Sequence, residues 1–298
     1  MSTQSHPLKA ALWMSGALLG FSAMAVAGRK LAGHLDTFEI LGYRSFFGLL
    51  IVLAVALPQR RLAEFRPKAM ALHIGRNLGH FAGQNLWLYA LTLIPMAQLF
   101  ALEFSYPILV GLGATLFLGE KMTPTRALTS VMGFVGILIV ARPFGGALSI
   151  GLIAAMLCAF GFAASALFTK RLTLTAHVSV LSIMFWMVTL QLIFGLVCAF
   201  ADGHAVLPRL QDVPWVIVVA ISGLGAHFCL TTALSLAPAS IVTPIDFLRL
   251  PIIAVIGMAF YGEGIDIWVF IGAAIIFSAN YINILSENRR MARLSSPA

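Results

Sequence analysis

Glu103 and Asp246 stand in matching segments, LIPMAQLFALEF at 93–104 and LAPASIVTPIDF at 236–247, each eight residues beyond a proline, Pro95 or Pro238. Both segments are otherwise apolar, and a carboxylate on such a run is costly unless it is paired, bound or neutralised by a proton. Asp246 has Arg249 one turn further on, and Tyr106 takes the corresponding place after Glu103. These residue types allow two kinds of chemistry: a structural ion pair between Asp246 and Arg249, or an acid open to a solute or a proton. Arg44, inside another apolar run, is an equal candidate to neutralise Glu103.

A second polar cluster lies in GRNLGHFAGQNLWLYALTLIP, residues 75–95. At about 100° per residue, Gly75, Gly79 and Gly83 fall on one helical face, and Asn77, His80 and Gln84 on the opposite one. Glycine at every fourth position lets another backbone approach closely. The polar face either meets water and solute or bonds a neighbouring helix; three groups at i, i+3 and i+7 favour the wall of a cavity. Arg76 sits nearer the end of this run and is read as snorkelling to the surface. Gly223, His227, Thr231 and Ser235, four apart, form a small and polar stripe that is either a packing seam or a cavity wall. Trp186, in the middle of an apolar run, is a candidate stacking group or a core residue, whereas Trp215 and Trp268 begin runs as interfacial anchors do.

The elements that must position these groups follow from composition. Of 298 residues, 60% are hydrophobic and 10% charged, which is too apolar for a soluble globule, where about 25% are charged. Crossing a bilayer takes roughly 20 apolar residues, and runs near 8–27, 37–57, 69–91, 95–118, 124–142, 147–169, 177–201, 213–236, 239–261 and 265–285 qualify. The partner is therefore a lipid bilayer. The net charge of +8 needs no nucleic acid to explain it. Lys9, Arg60, Arg61, Arg66, Lys68, Lys121, Arg126, Lys170, Arg171, Arg289, Arg290 and Arg293 fall on one side, against Arg29, Lys30, Arg142 and Arg209 on the other. Such a bias puts both chain ends in the cytoplasm. Cys158, Cys198 and Cys229 all fall inside runs, where they read as small buried hydrophobes. Ala25-Val26-Ala27 resembles a signal-peptidase site, but the segment around it recurs inside the chain.

That recurrence is an internal repeat. GFSAMAVAGRKL at 20–31 matches GFAASALFTKRL at 161–172; Pro95 pairs with Pro238, Glu103 with Asp246, and Gly119-Glu120 with Gly262-Glu263. Each copy, 1–143 and 144–298, holds five runs. Five is odd, so the second copy enters the membrane inverted. At 1.5 Å per residue each acid lies about 12 Å in from its proline, one from each side, which brings both near the midplane of a core about 30 Å thick.

Ten runs in two five-helix halves, Arg44 in the second run and Gly-Glu near the ends of the fourth and ninth resemble the drug/metabolite transporter superfamily, in its EamA branch of bacterial metabolite exporters. Within that branch the chain is most similar to aromatic amino-acid exporters of bacterial inner membranes. The resemblance covers nearly the whole chain. It implies a central cavity lined mainly by spans one, three, four, six, eight and nine, with five and ten peripheral. Phe185 occupies the place in the second half that Arg44 has in the first, so no symmetric role follows for that arginine. No phosphate loop, nucleophile elbow, zinc helix or CxxC pair is present. The expectation is thus an all-α, ten-span secondary transporter of two inverted repeats, not an enzyme, without cofactor or metal, monomeric or weakly dimeric. It exports small metabolites, neutral or aromatic amino acids foremost, by alternating access; an exporter of cationic drugs or other metabolites is the alternative. Its pathway residues would be Asn77, His80, Gln84, Glu103, Tyr106, Trp186, His227, Thr231, Asp246 and Arg249.

Overall fold

A computed structural model of the chain describes residues 6–142, 149–174, 176–201, 206–237, 242 and 245–295. Among them are eleven α-helices and no strand. They are α1 (Pro7–Leu31), α2 (Thr37–Ala56), α3 (Met70–Leu93), α4 (Met96–Glu103), α5 (Tyr106–Phe117), α6 (Pro124–Ala141), α7 (Ile150–Leu174), α8 (Val180–Ala199), α9 (Val213–Leu236), α10 (Arg249–Tyr261) and α11 (Ile267–Ser295). Proline sits in the first turn of α1, α5, α6 and α9, where its missing N–H costs nothing. Asp36 caps α2 in a reciprocal box with Glu39, and Gly119 and Gly262 take left-handed φ values of +69° and +64° after α5 and α10. Eight crossings are apolar and long enough to span a membrane when α4 and α5 count as one. The other two are α3, whose polar residues lower its hydropathy, and the crossing that ends in α10. Pro238, the expected start of that crossing, lies outside the described residues.

Two of the ten crossings are discontinuous, which corrects the unbroken runs expected at 95–118 and 239–261. α4 stops at Glu103, a turn follows at Phe104–Ser105, and α5 restarts at Tyr106. In the second half Asp246 precedes a turn at Phe247–Leu248, and α10 starts at Arg249. Pro107 and Pro251, each in the first turn of the restarted helix, remove donors there and favour a break. The Phe104 carbonyl that the first break frees accepts from Asn280 Nδ2 at 2.8 Å.

The helices pair between halves: α3 with α7, α1 with α9, α2 with α8 and α6 with α11. The first two pairs are equivalents under the repeat, and the last two each join a crossing to its own counterpart. α1 runs unbroken through Ala25 and Ala27, both fully buried. At the basic end, which carries residues 57–69, Glu120 is bonded to Lys170 and, at 3.0 Å, to Arg126. Lys170 foremost, with Arg126, holds the Glu120 carboxyl below the usual carboxylate range. At the far end the repeat counterparts of Lys170 and Glu120, Arg29 and Glu263, are paired. Glu263 also accepts from the Met96 amide at 2.9 Å, at the N-terminus of α4.

The glycine face of α3 meets α7 at backbone contact. A Cβ on Gly79 would lie 3.1 Å from the Gly161 carbonyl oxygen, and one on Gly161 would lie 2.7 Å from Gly83 Cα. Neither backbone can yield without separating the halves. Gly161→Leu is therefore expected to lower the melting temperature and the yield of folded protein strongly, since overpacking costs about 1–3 kcal/mol even where side chains can shift. Gly225→Leu is the control, because a Cβ there meets nothing within 4 Å. Equal melting temperatures for the two variants would contradict the assigned crossing.

Candidate functional site

Both helix breaks face one cavity of about 350 Å³ at the junction of the repeats. Its wall comes from α1 (Phe21, Met24), α3 (Arg76, His80, Gln84, Trp87), the fourth crossing (Glu103, Tyr106), α7 (Phe162, Ser165, Ala166, Thr169), α9 (His227, Leu230, Thr231) and the ninth crossing (Asp246, Arg249). These are crossings one, three, four, six, eight and nine, as the resemblance implied.

Arg249 is the centre of its charge. One guanidinium nitrogen, Nη2, lies 3.5 Å from Glu103 Oε1 and 3.5 Å from Asp246 Oδ2. The Asp246–Arg249 pair left open by the sequence is thus present, and Glu103 shares it from the other half. Glu103 Oε2 also accepts from Trp87 Nε1 at 2.8 Å. Arg249 is 4% exposed and its Cζ lies 4.6 Å from the Phe21 ring centre, 5.1 Å from Phe100 and 5.0 Å from Phe104. Three ring faces replace much of the water that a guanidinium would otherwise bind. Asp246 Oδ1, Arg249 Nε and Gln84 Oε1 are nevertheless buried without a hydrogen-bond partner.

Phe21 stands edge-on to His227 at 5.2 Å, and its counterpart Phe162 lies 5.8 Å from His80. The two histidine rings are 5.9 Å apart. Gln84 and Thr231 each follow one turn after a histidine.

Eight of the ten expected pathway residues therefore share this cavity: His80, Gln84, Glu103, Tyr106, His227, Thr231, Asp246 and Arg249. Asn77 and Trp186 do not line it. Asn77 donates to the His73 carbonyl at 2.8 Å and accepts from Arg76 Nη1 at 3.1 Å, so it braces α3 internally. Trp186 packs between Phe185 and His73 with its indole nitrogen buried and unpartnered. Arg76 does not snorkel: it is 9% exposed and donates to Thr169 Oγ1 at 3.0 Å. Arg44 does not reach Glu103 but donates to Gln191 Oε1 on α8 at 2.5 Å. Of the α9 stripe, His227 and Thr231 belong to the wall, Gly223 packs toward Met24, and the Ser235 side chain lies outside the described residues. The sequence reading missed Phe21, Phe162, Trp87 and Thr169. Trp87 was accessible to it, because it lies three residues beyond Gln84 on the same helical face.

A larger cleft of about 650 Å³ opens between α2 and α8. It is almost wholly apolar, and its two polar side chains are occupied: Glu39 accepts from Val206 N, and Tyr43 donates to the Val206 carbonyl. Nothing there can orient a polar solute, so the smaller cavity is the candidate site.

The sequence profile of the EamA-like transporter family matches residues 8–142 and again 149–285. The chain is 29% identical to a riboflavin transporter of Rhizobium johnstonii over 96% of its length and 94% of the relative's. It is 32% identical to a riboflavin transporter of Brucella anthropi over 79% and 85% of the two chains. Identity to an S-adenosylmethionine uptake transporter of Rickettsia bellii is 26%, over 94% and 95%. A solved crystal structure matches with a TM-score of 0.63 at 19% identity, covering 96% of this chain and 99% of that one, which speaks for the fold alone. The aromatic amino-acid exporters suggested by the sequence are not among these relatives.

Glu103→Gln or Asp246→Asn alone leaves Arg249 one carboxylate, so each is expected to lower the melting temperature modestly. The double replacement strands the guanidinium and should cost about 3–5 kcal/mol, more than the two single losses together. Adding Arg249→Leu to the double should recover most of that loss. Additive single losses, or no rescue, in thermal melts of the purified variants would contradict the shared pair.

Proposed function

The chain belongs to the EamA-like transporter family, whose profile covers both of its halves, and on that footing we propose that the cavity around Arg249 carries a small ring-bearing metabolite across the bilayer by alternating access. The observation that carries this reading is one buried guanidinium shared by acids of both halves, beside partnerless polar atoms of Gln84, Asp246 and Arg249 itself. Buried polar atoms are almost always satisfied, and these three unsatisfied ones belong to residues that line the cavity. Phe21, Trp87, Tyr106 and Phe162 offer ring faces beside them.

Size and shape narrow the class. A cavity of about 350 Å³ suits a single solute of metabolite size. From Arg76 to Trp87 the α3 wall runs about 16 Å at 1.5 Å per residue, with a guanidinium at one end and the acid cluster at the other. An elongated solute with a flat ring system and a polar tail matches that distribution. Riboflavin and S-adenosylmethionine, for which relatives are named, both fit the description. Aromatic amino acids are smaller members of the same class, and their export rests on the family resemblance alone.

One observation favours a second reading. At that end of the cavity Glu103 and Asp246 outnumber Arg249, with Arg76 at the other end, and this local negative charge suits the cationic part of a ring compound. We take the basic end to face the cytoplasm of a bacterial cell membrane, on the strength of the charge bias.

Counterflow in proteoliposomes tests the proposal with four solutes: riboflavin, S-adenosylmethionine, tryptophan and ethidium. At least one of the first three should exchange several-fold faster than in protein-free vesicles, and Glu103→Gln should reduce that exchange. Exchange of ethidium alone would move the assignment to the cationic class, and exchange of none would overturn the proposal.

A further inference from the structure

His80 is held by a chain of hydrogen bonds that fixes what its ring offers the cavity. Arg44 Nη2 lies 2.5 Å from Gln191 Oε1, and a guanidinium can only donate. The Gln191 amide is thereby oriented, and its Nε2 must donate in its turn. That nitrogen lies 2.8 Å from His80 Nδ1 and 3.4 Å from Asn77 Oδ1. Asn77 is oriented independently: its Nδ2 donates to the His73 carbonyl and its Oδ1 accepts from Arg76 Nη1 at 3.1 Å. Turning the Gln191 amide over would set donor against donor at Arg44 and acceptor against acceptor at Asn77. His80 Nδ1 therefore accepts and carries no proton, which leaves the hydrogen on Nε2. Gln191 is fully buried on α8 and stands outside the cavity, while His80 lines it beside Phe162 and His227.

The relay is not a by-product of the internal repeat. Across the repeat His80 corresponds to Gly223, and where the first half has Arg44 the second has Phe185, so the second half has no equivalent of this relay. Two buried polar side chains, Arg44 at 7% and Gln191 at 0% exposure, are thus spent on one histidine ring.

We propose that Arg44 and Gln191 are positioning residues that lock His80 as a neutral donor, its Nε2–H directed at the solute, so that the transported compound presents a neutral acceptor there, a ring carbonyl or an unprotonated ring nitrogen. The inference rests on the reading of the cavity as the solute site. It divides the labour in that cavity: the Arg249 cluster meets the solute's charge, and His80 reads its ring.

Gln191→Glu tests it without removing the contact to Arg44, because a carboxylate in that place still accepts from the guanidinium. It offers His80 no donor, so Nδ1 must take a proton. In protein labelled with nitrogen-15 at histidine, with the His80 signals assigned by loss in His80→Gln, two-bond proton–nitrogen correlations report which nitrogen is protonated. The wild type should give the neutral form protonated at Nε2 between about pH 6 and 8, and Gln191→Glu should give Nδ1 protonation. Riboflavin, whose ring carbonyls are acceptors, is the binding probe, and its Kd should weaken about tenfold in Gln191→Leu, the scale of one good hydrogen bond. A wild-type His80 protonated at Nδ1 overturns the relay while leaving the transport reading standing. The expected tautomer with an unchanged Kd in Gln191→Leu overturns the positioning role. Failure of the wild type to bind riboflavin overturns the acceptor requirement as applied to that ring system, and the tautomer result still decides the relay.

Discussion

A guanidinium near the middle of a bilayer needs a counter-charge, and here that need ties the two halves together. Arg249 obtains one carboxylate from its own crossing and one from the symmetric crossing, with three phenyl rings around its remaining faces. For Glu103 and Asp246 to converge on it, both crossings must turn at their midpoints. Each does so one residue after the acid, at Phe104–Ser105 and at Phe247–Leu248. Broken helices expose unsatisfied backbone, which a membrane tolerates only where protein or a water-filled cavity covers it. The cavity, the breaks and the ion cluster are therefore one arrangement.

The pseudo-symmetry gives that arrangement two equivalent ends. Arg29 pairs with Glu263 at one and Lys170 with Glu120 at the other, each pair joining a helix of one half to a loop of the other. Between them the halves meet along α3–α7 and α1–α9, where glycines bring backbones into contact. A seam of smooth backbone can slide or rock with little change in side-chain packing, whereas charged latches at its ends can only be made or broken. Such a structure suits the alternating access proposed for it.

Much of this was legible in the chain because it depends on short offsets. The fourfold glycine spacing separates the two faces of α3, and the repeat alignment puts Glu103 and Asp246 at equivalent depths. The helix breaks were not legible from apolarity, which continues through Phe104 and Leu248; Pro107 and Pro251 were the available signals. Arg44 and Arg76 were misplaced because their partners, Gln191 and Thr169, lie 147 and 93 residues away, and no local pattern ties them together. The solute was not legible for the same reason, since the ring faces that define its class come from four separate crossings.

The central claim is that the polar cavity, and not the larger apolar cleft, holds the solute. It is tested most directly by thiol protection in a chain whose Cys158, Cys198 and Cys229 are replaced by alanine. Thr231→Cys places a reporter in the cavity wall, and Leu196→Cys places one in the cleft between α2 and α8. The account predicts that a transported solute slows maleimide labelling at position 231 several-fold, saturably, and leaves position 196 unchanged. Protection at 196 with none at 231 would contradict it.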